Sequence, residues 1–218
     1  MQALETTTLR INEIFFSLQG ETSRVGLPTI FIRLTGCPLR CGYCDTAYAF
    51  TGGKTMTISA ILQQISNYTS QYVTVTGGEP LAQKACLTLL TALCDNAYSV
   101  SIETSGALDL SNVDTRVCRV MDIKTPGSGE VDKNNWSNLV YLTQQDELKF
   151  VLCHEADYHW ACEILQQHQL DKICPVLFSP VHDRLNPATL AEWILRDKQP
   201  VRMQIQLHKL LWGDGPGR

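Results

Sequence analysis

Three cysteines, Cys37, Cys41 and Cys44, fall within eight residues at the spacing C-x3-C-x2-C, directly after a stretch of strand-forming residues. The chain has nine cysteines, and the odd count excludes a fully paired disulfide set within one chain. In a reducing compartment, closely spaced cysteines read as metal ligands or redox groups before they read as disulfides. Three thiolates on a short loop suit three irons of a 4Fe–4S cubane, and the missing fourth ligand leaves one iron open to an exogenous group. A structural zinc site is the competing reading, but it wants four ligands and usually two paired clusters. No second Cys/His pair with such spacing exists. Cys86, Cys94, Cys118, Cys153, Cys162 and Cys174 are scattered through apolar segments and read as small buried hydrophobes.

A second segment with chemical potential is Thr76-Gly77-Gly78-Glu79-Pro80. Two glycines let a backbone approach a ligand closely, and a carboxylate there can accept hydrogen bonds from an ammonium. Taken alone, it is an ordinary strand-to-helix turn. Both segments need a scaffold, and the pattern around them supplies one. Residues 29–34, 72–76, 98–103, 116–123, 148–153, 173–178 and 201–207 are rich in β-branched and apolar residues and read as strands. Helices are expected at 57–68, with Ile58, Ile61, Leu62 and Ile65 on one face, and at 80–96, about 155–169 and 187–198. Strands separated by helix-length segments imply parallel pairing through right-handed crossovers. No helix is expected between Asp122 and Tyr141, so the alternation weakens there. The fold class is therefore α/β: a partial, open TIM-like barrel of about six parallel strands with a reduced set of helices.

The 218 residues fit one domain, expected to span 1–218, with the cysteine loop at 36–46 and a tail at about 212–218. Hydrophobic residues make up 44% and charged residues 18%, a globular composition rather than a disordered one. A net charge of −4 argues against a generally basic, nucleic-acid-binding surface. No apolar run approaches the ~20 residues of a membrane span, and the opening residues lack the pattern of a signal peptide. A cytoplasmic location is expected.

The cysteine loop, with the aromatic Tyr43 before its last cysteine, resembles the signature of the radical S-adenosylmethionine (SAM) superfamily. Thr76–Pro80 is similar to that superfamily's GGEP segment, which contacts the SAM amino group. Further segments narrow the resemblance to the 7-carboxy-7-deazaguanine synthases. Ile14 to Thr22 is similar to their F-x-S/T-L-Q-G-E-G stretch, with Thr22 in place of the last glycine. Arg33 lies in the matching strand, and Cys44-Asp45-Thr46 follows the family's C-D-T. Ile102 to Gly106 carries its E-T-S-G. Asp122 to Pro126 and the closing Gln204 to Lys209 match as well.

The resemblance implies a radical SAM lyase that contracts 6-carboxy-5,6,7,8-tetrahydropterin to 7-carboxy-7-deazaguanine with loss of ammonia, toward queuosine and other 7-deazapurines, SAM being regenerated. It implies a 4Fe–4S cluster on Cys37, Cys41 and Cys44, and Mg²⁺ with Thr46 as its single protein ligand. SAM contacts carry over to Tyr43, Cys44, Asp45, Gly78, Glu79, Ser105 and Lys124. Substrate contacts carry over to Leu18, Gln19, Gly20, Arg33 and Thr76. Arg33 can make a two-pronged salt bridge to a carboxylate, and Gln19 offers a donor and an acceptor to a pterin edge. The match at His208 and Lys209 implies that the chain end closes over the pterin. An electron donor such as flavodoxin or ferredoxin and a homodimer follow from the same likeness. A glycyl-radical-enzyme activase shares the cysteine loop but gives no reason for Leu18-Gln19-Gly20 or Cys44-Asp45-Thr46. A non-enzymatic iron–sulfur or zinc-binding module is the remaining alternative. His154-Glu155 with His159 misses the H-E-x-x-H spacing by one residue, and Gly53-Lys54-Thr55 lacks the earlier glycine of a phosphate-binding loop.

Overall fold

A computed structural model describes residues 2–213, 215 and 217; Asp214, Pro216 and Arg218, part of the expected tail, lie outside the described residues. Nine strands form one sheet: β1 (Thr8–Leu18), β2 (Pro28–Leu34), β3 (Lys54–Thr57), β4 (Tyr72–Gly77), β5 (Ser99–Thr104), β6 (Cys118–Ile123), β7 (Glu147–Leu152), β8 (Val176–Pro180) and β9 (Arg202–Met203). The order is β3-β1-β2-β4-β5-β6-β7-β8-β9, with β3 and β9 at the edges, so the sheet does not close. All neighbours from β2 to β9 pair in parallel, whereas β1 runs antiparallel to both β2 and β3.

The six longer parallel strands, β2 and β4 to β8, are those the sequence leads one to expect. The two antiparallel strands are not. In β1 the register slips between Ile11 and Glu13, and Ile14, Phe15 and Phe16 follow side by side, so the apolar residues do not alternate. β3 is only four residues long and largely exposed. The strand expected at 201–207 shortens to β9, after which Gln204 N–H still reaches Phe178 C=O at 3.0 Å and the chain turns into a helix.

The helices are α1 (Gln2–Thr6), α2 (Ile58–Ile65), α3 (Cys86–Asp95), α4 (Glu155–His168), α5 (Leu170–Ile173), α6 (Pro187–Arg196) and α7 (Leu207–Trp212). The Thr57 hydroxyl accepts from Ala60 N–H and caps α2, whose Ile58, Ile61 and Ile65 are buried. The helix expected at 80–96 splits into a 3-10 turn at Pro80–Ala82 and α3. Between Asp122 and Tyr141 there are only 3-10 turns, as the weak periodicity implies. Among the described residues no helix is long and apolar enough to cross a membrane.

Strand side chains alternate between two environments. Ile30, Ile32 and Leu34 of β2, Val73 and Val75 of β4, Ile102 of β5, and Leu148, Phe150 and Leu152 of β7 join Leu89, Leu90, Tyr158 and Leu190 of the helices in one core. The intervening residues, Phe31 and Arg33, Thr76, Glu103, Asp122, and Lys149 and Val151, line a polar cavity instead. That second face positions the chemistry.

Candidate functional site

The cavity measures about 580 Å³. Its wall comprises the strand residues above, the cysteine loop after β2, the segment after β1, and chain-end residues including Gln206, His208, Lys209, Gly213, Gly215 and Gly217.

The cysteine loop is shaped by backbone contacts. Gly36 N–H donates to Ala49 C=O at 2.8 Å, Gly42 N–H to Ser128 C=O at 2.9 Å, and Cys44 N–H to Cys41 C=O at 3.1 Å. Arg184 donates to Gly42 C=O and Arg40 to Cys37 C=O, both at 2.8 Å. Leu39 N–H points at Cys37 Sγ at 3.4 Å. The loop and the glycine segment form one piece: Glu79 N–H donates to Gly36 C=O at 2.8 Å. A Cβ on Gly78 would collide with the Gly36 carbonyl and Cys37 Cβ, so only glycine fits there. Cys37, Cys41, Cys44, Tyr43, Asp45, Thr46, Gly78, Ser105 and Lys124 all reach the cavity wall.

Glu79 does not. The sequence suggests it as a SAM contact, yet it is fully buried and absent from the wall. Its carboxylate accepts from Leu81 N–H at 3.0 Å, Thr104 Oγ1 at 3.0 Å, and Ser105 N–H and Oγ at 2.7 and 2.5 Å. A buried carboxylate needs such donors, and these use its lone pairs to fix Ser105. The motif's acid therefore acts one residue removed from the cavity.

Leu18, Gln19, Gly20, Arg33 and Thr76 line the other side. Gln19 Nε2 donates to Thr74 Oγ1 and to Glu103, both at 3.2 Å, and Thr76 Oγ1 donates to Glu103 at 3.0 Å. Arg33 Nε pairs with Glu13 at 2.7 Å, with the rings of Phe15 and Tyr48 beside the guanidinium. That pair occupies Nε, not the two terminal nitrogens. Thr46 precedes the 3-10 turn at 47–50 without capping it; its hydroxyl donates to Asp45 at 2.9 Å.

Of the charges beneath these residues, sequence reasoning gave a role to Lys124 alone and none to Glu21, Glu103, Asp122 or Lys149. Lys149 Nζ lies 2.6 Å from Glu21 and 3.9 Å from Asp122, and Lys124 Nζ lies 3.0 Å from Asp122. Burial pushes the Glu21 carboxyl up, but the Lys149 charge and hydrogen bonds from Lys149 and Gln206 outweigh it and hold it at about 2. Burial disfavours charge on Lys149, and the carboxylates of Glu21, Asp122 and Glu103 overcome this and raise it. Burial raises the Glu103 carboxyl despite Lys149. The one signal for Lys149 is a lone cation inside the apolar run Leu148-Lys149-Phe150.

All nine cysteines are free thiols. Among the described residues no three His, Cys, Asp or Glu side chains crowd closely enough to chelate a single metal ion, which a structural zinc site requires. Thiolates that bind different irons of a cubane stand wider apart. Three thiols on one cavity wall, beside a glycine whose side chain would strike the loop, fit a cluster with a small ligand against it.

The radical SAM superfamily model matches residues 31–121. A 7-carboxy-7-deazaguanine synthase of Chlorobaculum tepidum is 45% identical over 207 residues, covering 94% of each chain. Another, of Koribacter versatilis, is 41% identical and covers 94% of this chain and 97% of its own. The crystal structure of QueE from Escherichia coli superposes with a TM-score of 0.78 at 25% identity, over 95% of this chain and 97% of that one.

Proposed function

The chain belongs to the 7-carboxy-7-deazaguanine synthases of the radical SAM superfamily, and from that premise we propose a division of labour across its cavity. The enzyme is a radical SAM lyase that converts 6-carboxy-5,6,7,8-tetrahydropterin to 7-carboxy-7-deazaguanine with release of ammonia, in queuosine and 7-deazapurine biosynthesis. The observation that carries this reading is the placement of the three cysteines and the Leu18-Gln19-Gly20 segment on one cavity. The whole chain is read as one radical SAM domain.

When bound, the cluster and SAM supply an electron and a hydrogen-abstracting radical. The chain's own residues hold, orient and shield. Cys37, Cys41 and Cys44 each take a different iron. Tyr43, Cys44, Asp45, Gly78, Ser105 and Lys124 receive SAM, with Glu79 fixing Ser105 from behind. Arg33 offers its terminal nitrogens to the substrate carboxylate, while Gln19 and Thr76 meet the pterin edge. Thr46, whose hydroxyl caps no turn, keeps an oxygen lone pair for Mg²⁺, a cation that prefers oxygen ligands and retained waters. A low-potential carrier such as flavodoxin or ferredoxin supplies the electron, and a homodimer follows from the family likeness. Nine free thiols support a reducing, cytoplasmic setting.

Anaerobic incubation of reduced, cluster-loaded enzyme with SAM, Mg²⁺ and the carboxypterin tests the reading. A deazapurine product by absorbance and mass is expected. SAM cleavage without that product overturns the reading and favours the activase alternative. Thr46→Ala should keep the cluster and SAM cleavage while weakening Mg²⁺-dependent turnover; unchanged Mg²⁺ dependence removes Thr46 from the metal site.

A further inference from the structure

Five side chains from four distant segments form a continuous line across the cavity. Lys149 Nζ donates to Glu21 Oε2 at 2.6 Å. Glu21 Oε1 accepts from Gln206 Nε2 at 3.0 Å, and the same nitrogen donates to Asp45 Oδ2 at 3.2 Å. Asp45 Oδ1 in turn accepts from Thr46 Oγ1 at 2.9 Å. Glu21 follows the pterin-facing Gln19 and Gly20, whereas Asp45 follows the last cluster cysteine. We infer that Gln206 is a positioning residue whose single amide, bridging Glu21 and Asp45, couples the SAM side of the cavity to the pterin side. The inference rests on the functional reading above.

The residue type fits the task. A primary amide nitrogen has two hydrogens, one for each carboxylate, and carries no charge. Glutamate at 206 would set a third like charge against the pair and offer no donor. Asparagine is one methylene shorter and cannot span both partners from the same backbone position. That backbone is itself pinned, because Leu207 N–H donates to Gly20 C=O at 2.9 Å. Gln206 thus ties the chain end to the β1 loop through main chain and side chain, and to the cysteine loop through side chain alone. Loss of the amide leaves each half intact and cuts the link between them.

The turnover regenerates SAM, so accumulated 5′-deoxyadenosine counts abortive events. Each of these takes two electrons from the low-potential donor and one proton, breaks the S–C5′ bond of SAM, and leaves methionine and 5′-deoxyadenosine. Gln206→Ala should raise 5′-deoxyadenosine per deazapurine formed by about tenfold, a modest coupling between sites. Gln206→Lys, which can still donate to both carboxylates, should stay within about twofold of wild type. A second readout needs no turnover: calorimetric titration of the carboxypterin into cluster-loaded protein with and without SAM. In wild type SAM should tighten pterin binding at least about fivefold, and in Gln206→Ala the two titrations should agree. An unchanged product ratio together with unchanged binding linkage in Gln206→Ala overturns the inference. So does a Gln206→Lys protein whose 5′-deoxyadenosine per deazapurine rises about tenfold over wild type, which also decides the matter should Gln206→Ala fail to load its cluster. Wild-type protein that cleaves SAM yet makes no deazapurine defeats the functional reading itself and this inference with it. Wild-type turnover with no effect at position 206 defeats the inference alone.

Discussion

The cysteine loop and the segment that follows β1 face the same cavity, yet one keeps free thiols on its wall and the other ties its polar groups to the protein. The cysteine loop is exposed at Arg40, Cys44 and Asp45, and most of its outside bonds fall on its main chain: its glycines meet Ala49 C=O, Ser128 C=O, Glu79 N–H and Arg184, Glu130 accepts from Arg40 N–H, and Gln206 reaches the Asp45 carboxylate. The segment at 19–27 buries Gln19, Gly20 and Thr22, exposes Ser23 and residues 25–27, and is fastened by side chains from elsewhere. Glu147 accepts from Ser23 N–H at 3.0 Å and from the Ser23 hydroxyl. Gln204 accepts from Thr22 N–H at 2.8 Å, and Arg24 donates to the Ser99 carbonyl and hydroxyl at 3.0 Å. One loop is shaped for a cofactor to complete, the other is completed by the protein. Substitutions in the first should cost chemistry, and in the second stability.

The largest expected effect is on the cofactor side. Replacing any one of Cys37, Cys41 or Cys44 by Ala should abolish SAM cleavage, because in the proposed arrangement each thiolate would hold a different iron. Because none of the three is fully buried, stability of the cluster-free protein should change by no more than about 1 kcal/mol. Residual SAM cleavage, or a far larger stability loss, breaks the contrast. Lys149→Met attacks the other side and leaves Glu21 and Glu103 without their cation, while Asp122 keeps Lys124. Removing one partner of a buried ion pair typically costs about 3–5 kcal/mol, readable in urea unfolding. Its pH dependence has a definite sign. The Glu21 carboxyl is depressed to about 2 from 4.5, so its contribution is fully present above 4.5 and is lost as pH falls toward 2. That contribution is worth about 3 kcal/mol at neutral pH. Without Lys149, burial raises both the Glu21 and Glu103 carboxyls in the variant, so the gap between wild type and Lys149→Met should be widest at neutral pH and narrow as the pH falls through the carboxyl range. A gap that widens in acid contradicts the assignment.

Gly20→Ala should act on the seam between the two regions. A Cβ there would collide with His208 Nδ1 and crowd its backbone nitrogen, and the Leu207 bond to Gly20 lies alongside. Overpacking of this kind costs about 1–3 kcal/mol. The loss should appear as a raised KM for the pterin with SAM affinity kept. Equal loss of affinity for both ligands means the chain end does not distinguish the two sides.

The same contrast explains what the sequence discloses. Cys37, Cys41, Cys44 and Gly78 are dictated by a ligand or by close backbone approach, so type and spacing betray them. The six parallel strands were legible because apolar residues recur at every second position on their core face, as Ile30, Ile32 and Leu34 do, among β-branched neighbours. Glu103, Asp122 and Lys149 owe their places to one another across three neighbouring strands, and no local pattern records a partner so distant in the chain. Glu79 shows the limit from the other direction. Its motif marks the right turn, but only the structure reveals that Leu81, Thr104 and Ser105 consume its carboxylate. β1 was hidden by its bulge and β3 by brevity, while β9 was expected but is shorter than expected.

The smallest expected effect concerns Thr22, which stands where the family pattern has glycine. Its φ is +68°, so the chain keeps the left-handed turn with a β-branched residue in it. Such a conformation costs a non-glycine residue about 1–2 kcal/mol, and a β-branched one no less. The cost is offset locally: Thr22 is 3% exposed, its N–H reaches Gln204, and its Oγ1 accepts from Arg24 N–H at 3.2 Å. Glycine would relieve the strain but forfeit the hydroxyl and loosen the unfolded chain. Asparagine tolerates the left-handed region and keeps a short polar side chain that can serve Arg24 N–H. Thr22→Asn should therefore stabilise the protein by about 0.5–1 kcal/mol, a rise in Tm of about 1–4 °C for a chain of this size. Thermal unfolding of the cluster-free protein measures this without the chemistry. A lower Tm would mean that the Thr22 methyl and hydroxyl contribute more in their buried site than the turn loses to strain.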